Sequence, residues 1–132
     1  MANNTITHKI QFKAKANVLF ELLMNSKKHS DFTGAEAIIS NQIGGKYSAY
    51  DGYIVGKNLE LVPGKRIVQT WKAYEEGWPD DVYSTVEFVF TENKNGTELI
   101  FRHTGIPTQV KSDFDNGWKE HYWEPMKAYL NE

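Results

Sequence analysis

The chain contains no cysteine. That absence excludes a disulfide framework, a thiolate metal site and a thiol nucleophile, and leaves the redox compartment only weakly constrained. Charge of one sign is also missing: 15 Lys and Arg stand against 17 Asp and Glu over 132 residues, a formal net charge of -2. A nucleic-acid partner is not expected, because the phosphate backbone selects a basic excess or a basic stripe. Nowhere do eighteen apolar residues run together, so membrane insertion is not expected either. The opening Met1-Ala2-Asn3-Asn4-Thr5 lacks a basic region followed by an apolar run, which makes a cytoplasmic protein the expectation. Internal repeats, low-complexity tracts and charge blocks are absent too.

Aromatic residues are abundant, at 14% of the chain. Phe114, Trp118, Tyr122, Met126 and Tyr129 recur at helical spacing near the C-terminus and predict a helix with one buried flank. Pro125 lies inside it, removes a backbone donor and clashes with the carbonyl of His121, which predicts a kink. Upstream, residues 5–13 alternate so that Ile6, His8, Ile10 and Phe12 share a face, the pattern of a half-buried strand. Asn17 is placed to cap a short apolar helix carrying Val18, Leu19, Phe20, Leu22, Leu23 and Met24, and a second short helix is expected over residues 26–31. Strands are then expected around Tyr47, from Tyr53 to Val62, from Arg66 to Trp71, from Val82 to Thr91 and around Phe101. They are separated by turn signals at Gly44-Gly45, Asp51-Gly52, Pro63-Gly64 and Asn95-Gly96. Thr108 or Ser112 is expected to cap the final helix.

This order predicts one domain over residues 1–132 of α+β class: a curved antiparallel sheet of about six to seven strands wrapped around a long C-terminal helix, with two short helices after the first strand. The runs Gly44-Gly45-Lys46-Tyr47, Val62-Pro63-Gly64-Lys65-Arg66-Ile67-Val68-Gln69-Thr70-Trp71, Trp78-Pro79, Tyr83-Ser84-Thr85-Val86, Asn95-Gly96-Thr97-Glu98-Leu99, His103-Thr104-Gly105-Ile106-Pro107 and Gly117-Trp118 together resemble the Hsp90 ATPase activator homologue family. The resemblance implies the START-like, helix-grip fold, which is shared with Bet v 1-like proteins and polyketide cyclases. It also implies small-molecule binding for stand-alone members and contact with an Hsp90-type chaperone for the co-chaperones. The eukaryotic co-chaperone is implied to carry a separate N-terminal domain, and this chain resembles its C-terminal domain.

Strand parity turns Gln69, Trp71, Ser84, Phe88, Phe101 and His103 inward to face Trp118, Tyr122 and Met126. A few polar groups among aromatics is the usual make-up of a small-molecule cavity. These nine residues are the candidate ligand site, with the alternative that they simply fill a core. His103 is the one weak candidate for general acid-base work, with Ser84 or Tyr122 beside it, but the pattern of a Ser-His-Asp triad or a nucleophile elbow is absent. His8, His29, His103 and His121 are scattered, and Glu120-His121 with Glu124 lacks the second histidine of a zinc helix, so no metal and no cofactor is expected. The acidic loop over residues 74–81 reads as a solvated connection with exposed Tyr74 and Trp78; a lid or a partner contact is the alternative.

Three functions therefore compete: a binding protein for an apolar, aromatic or lipid-like ligand, a co-chaperone or protein-interaction module, and a cyclase- or hydrolase-type enzyme. The oligomeric state is left at monomer or homodimer.

Overall fold

A computed structural model describes residues 4–132; residues 1–3, part of the N-terminal stretch read for a leader, lie outside the described residues. Strand β1 (Ile6–Phe12) leads into helices α1 (Ala16–Met24) and α2 (Ser26–Thr33). Strands β2 (Ile38–Ile39), β3 (Lys46–Ala49), β4 (Ile54–Val62), β5 (Arg66–Ala73), β6 (Ser84–Asn93) and β7 (Gly96–Thr104) follow. They form one seven-stranded sheet in the order β1-β7-β6-β5-β4-β3-β2, with every pairing antiparallel. The chain ends in a continuous helical segment that crosses the sheet: a 3-10 turn (Thr108–Val110), α3 (Lys111–Trp118), a π-helical turn (Lys119–Trp123) and α4 (Glu124–Tyr129). This is the helix-grip architecture expected from the sequence.

Local chemistry accounts for most boundaries. Asp51 and Gly52, at φ 59° and 89°, occupy the central positions of the β3–β4 turn, where both residues need the left-handed region. In the β6–β7 hairpin Asn93 pairs with Gly96, so the turn is centred one residue earlier than Asn95-Gly96. Gly96 instead begins β7 at φ 128°, where a Cβ would sit 2.1 Å from the carbonyl oxygen of Phe12.

The helix caps differ from expectation. Asn17 lies inside α1, whose first turn is closed by a distant side chain: the N–H of Ala16 donates to Glu92 Oε2 of β6 at 3.0 Å. Neither Thr108 nor Ser112 caps the C-terminal segment, where no side-chain cap bond is made. A carboxylate at a helix N-terminus is favoured both by its hydrogen bond and by the helix dipole. Glu92→Ala should therefore cost about 1 kcal/mol, read as a lowered urea midpoint at unchanged m-value.

The aromatic helix departs from a simple 3.6-residue repeat. An α-helical carbonyl at His121 would bond the N–H of residue 125, which Pro125 lacks. The expected kink is realised as the π turn, where Glu124 N–H donates to the carbonyl of Lys119 and the His121 carbonyl accepts from Tyr50 Oη–H at 2.6 Å. The extra residue in this turn brings Trp123 into the core beside Tyr122, and further on it is Leu130 that packs partly against the core while Tyr129 is exposed.

Candidate functional site

Most of the space between sheet and helix is filled. Trp118 packs on Phe101 with ring centroids 4.4 Å apart, on Tyr122 at 4.7 Å and on Trp71 at 5.6 Å, and stacks on Trp123 at 5.7 Å. Phe88 and Met126 are likewise buried in this cluster. Phe88, Phe101, Trp123 and Met126 thus form core rather than cavity wall.

The polar tips of these rings are satisfied in a consistent way. Trp118 Nε1–H donates to His103 Nδ1 at 3.0 Å, Trp123 Nε1–H donates to His8 Nδ1 at 2.9 Å, and Tyr122 Oη lies 3.0 Å from His29 Nε2. An indole nitrogen can only donate, so the first two bonds fix the tautomers, leaving the proton of each imidazole on Nε2. His103 Nε2–H then meets Ser84 Oγ at 2.7 Å, and Ser84 donates onward to the carbonyl of Trp71 at 2.8 Å. His8 Nε2–H meets Asp115 Oδ1 at 2.7 Å. In His29 the Nδ1–H faces the Leu23 carbonyl at 3.3 Å, which leaves Nε2 to accept from Tyr122. One helical segment is therefore pinned to β7, β1 and α2 through three of the chain's four histidines.

Burial pushes His103 down to about 3 and His29 down to about 4, so both are neutral at physiological pH. The hydroxyl proton of Ser84 is committed to a carbonyl, and the lone pair of His103 Nδ1 is taken by an indole. This arrangement suits anchoring of a core histidine; no proton acceptor is poised for the Ser84 hydroxyl.

An open cleft of about 530 Å³ remains at the end of the grip where the β3–β4 turn meets α3. Trp71, Trp118, Tyr122 and Ile54 are its buried residues, and Tyr50, Tyr53, Phe114 and Gly117 its half-buried ones. Glu75, Asp113 and His121 are the exposed ones. Of the nine residues read from the sequence, Trp71, Trp118 and Tyr122 line this cleft, whereas Ser84, Phe88, Phe101, His103 and Met126 are buried away from it. Gln69 points inward but near α1, where its Nε2 donates to Asn58 Oδ1 at 3.0 Å. Tyr50, Tyr53, Glu75, Asp113 and His121 come from a turn, a loop and the other flank of the helix, and parity within single strands did not reveal them.

The loop over residues 74–81 is only partly the solvated connection expected from its acids. Tyr74 is exposed, but Trp78 is buried: its ring packs 5.5 Å from Trp71 and 5.6 Å from Phe114, and its Nε1–H donates to the Val82 carbonyl at 2.8 Å. Lys72 holds the loop from below, with Nζ 2.5 Å from the Asp80 carbonyl and over the rings of Tyr74 and Tyr83 at 4.8 and 5.8 Å. Among the described residues no group of three or more His, Asp or Glu is placed to hold a metal ion, and no helix is long and apolar enough to cross a membrane.

Comparison with known proteins places these features in a family. The human activator of 90 kDa heat shock protein ATPase homolog 1 is 30% identical over 122 residues, which are 92% of this chain and 36% of that protein. The Dictyostelium discoideum homolog is 32% identical over 93% of this chain and 32% of its own length. The chain thus spans about a third of the length of these curated relatives. A crystal structure of an HSP90 activator from Plasmodium falciparum superposes with a TM-score of 0.88 at 25% identity, covering 96% of each chain. The pattern of the family described as activator of Hsp90 ATPase homolog 1-like protein matches residues 13–131, nearly the whole sheet and the entire gripping helix, and the chain belongs to that family.

Proposed function

We propose that residues 1–132 act as one domain on an Hsp90-type chaperone, as a co-chaperone or interaction module. The observation that carries this reading is the crystal structure of the Plasmodium falciparum HSP90 activator, whose crystallised chain superposes on this one over 96% of each with a TM-score of 0.88. The filled midline of the grip fits it as well: a rigid aromatic core supports an outer protein-binding surface without needing an occupant. The test is ATP hydrolysis by a purified Hsp90-type chaperone as this protein is added. A saturable rise above the chaperone's own rate is expected, and no change at concentrations where the two proteins are shown to bind would overturn activation while leaving the interaction. Absence of any complex would overturn both.

The cleft favours a second reading, a small-molecule binding protein. Its volume falls in the range of about 300–1,000 Å³ typical of ligand sites, and its buried aromatic floor resembles theirs. Unlike the midline, this end of the grip is left open between Tyr50 and Tyr53 on one side and Phe114 and Trp118 on the other. The two readings are compatible in one molecule, because the cleft occupies only one end of the sheet-helix seam.

A further inference from the structure

The charge of the cleft is one-sided. Two carboxylates, Glu75 and Asp113, stand among its lining residues, and no lysine or arginine does. Both acids belong to exposed residues, while the indoles of Trp71 and Trp118 lie buried beneath. Tyr53 Oη–H donates to Glu75 Oε2, which holds that carboxylate beside the ring. The Tyr50 hydroxyl is spent on the His121 carbonyl. What these tyrosines present to an occupant is therefore ring rather than hydroxyl. Both phenols stay neutral, since burial pushes Tyr50 up to about 12 and, with the Glu75 hydrogen bond, raises Tyr53 as well.

Aromatic faces carry negative electrostatic potential and attract cations, and this attraction strengthens where water is excluded. A carboxylate-bearing ligand such as a fatty acid would meet two like charges at the mouth. A cation would meet two opposite ones there and rings below. We propose that the cleft takes a small organic cation, a quaternary or alkylated ammonium group carried on an apolar or aromatic body, an inference that rests on the ligand-binding reading above. The ammonium group lies toward Glu75 and Asp113, and the apolar body lies over Trp71 and Trp118.

The experiment compares three probes of similar shape on the full chain at low salt: phenyltrimethylammonium, its neutral carbon analogue tert-butylbenzene, and benzenesulfonate. Binding is read by tryptophan fluorescence and by the indole N–H signals of Trp71 and Trp118 in NMR. Saturable binding of the cation is expected, about ten-fold tighter than the neutral analogue, with no binding of the sulfonate. Glu75→Gln and Asp113→Asn should each weaken the cation several-fold and leave the neutral probe unchanged, with the unfolding midpoint as the check that the fold persists. Equal affinity for cation and neutral probe, or preference for the sulfonate, overturns the inference and leaves a ligand cleft of another character. Failure of all three probes to bind overturns the inference together with the ligand-binding reading beneath it.

Discussion

Unfolding free energy should fall by about 4 kcal/mol between pH 8 and pH 5, nearly all of it below pH 6.5, because two buried neutral histidines must be left uncharged for the protein to fold. The folded pKa values of His103 and His29 are lowered by burial to about 3 and about 4. An exposed histidine in the unfolded chain titrates near 6.5. Between these values the unfolded chain binds two protons that the folded one does not, so stability rises with pH in that window and is lost as pH falls through it. Each group contributes about 1.4 kcal/mol per pH unit below 6.5, or about 2 kcal/mol at pH 5. Protonation would also strike the geometry directly. His103 Nδ1 and His29 Nε2 are acceptors for Trp118 and Tyr122, and an imidazolium has no acceptor to offer. Urea titrations at closely spaced pH values would read the slope; a flat profile between pH 7 and 5 would show that neither histidine is held neutral by the core.

Part of this network was legible in the sequence. The alternation in β6 and β7 is strict and local, so Ser84, Phe88, Phe101 and His103 were correctly turned inward, and the inward face of β1 included His8. The order of the elements was legible for the same reason, because turn residues and periodicity are properties of short segments. Parity gives a face but not a place along it: Gln69 shares the inner face with Trp71 yet ends beside Asn58 and Met24, outside the cleft lining. The helix departs from its sequence pattern where its geometry leaves the repeat. A stripe of period 3.6 selects Tyr129 and omits Trp123, and only the π turn ahead of Pro125 explains why the indole of Trp123 is inside while Tyr129 is exposed. The acidic neighbours of Trp78 suggest a solvated ring, but an indole that finds two ring partners and a carbonyl outweighs the polarity of the residues around it. The cleft itself was least legible. Its walls come from residues as distant as Tyr50 and Tyr122, and its openness is the space that packing failed to fill, a quantity no local pattern encodes.

Trp118→Ala should be the most damaging single truncation in the chain, with a loss of about 4–8 kcal/mol, enough to unfold a domain of ordinary stability. Two separable effects add up to it. Removal of a buried indole leaves a cavity among Phe101, Tyr122, Trp123 and Trp71, and truncations of this kind cost about 3–5 kcal/mol. The second effect is polar: His103 Nδ1, fully buried, loses its only donor, and a stranded buried acceptor costs about 1–3 kcal/mol. Trp118→Phe keeps most of the ring volume and isolates the polar part, so its expected loss is nearer 2 kcal/mol. Trp71→Ala is the second control. Trp71 is also buried and, like Trp118, borders the cleft, but its indole nitrogen makes no hydrogen bond among those found for the described residues. Its truncation strands no buried acceptor, so the loss should fall below that of Trp118 by about 1–2 kcal/mol. Chemical denaturation of the three variants measures all of this at once. If Trp71→Ala proved as costly as Trp118→Ala, the hydrogen bond from Trp118 to His103 would contribute nothing to the difference between the two sites.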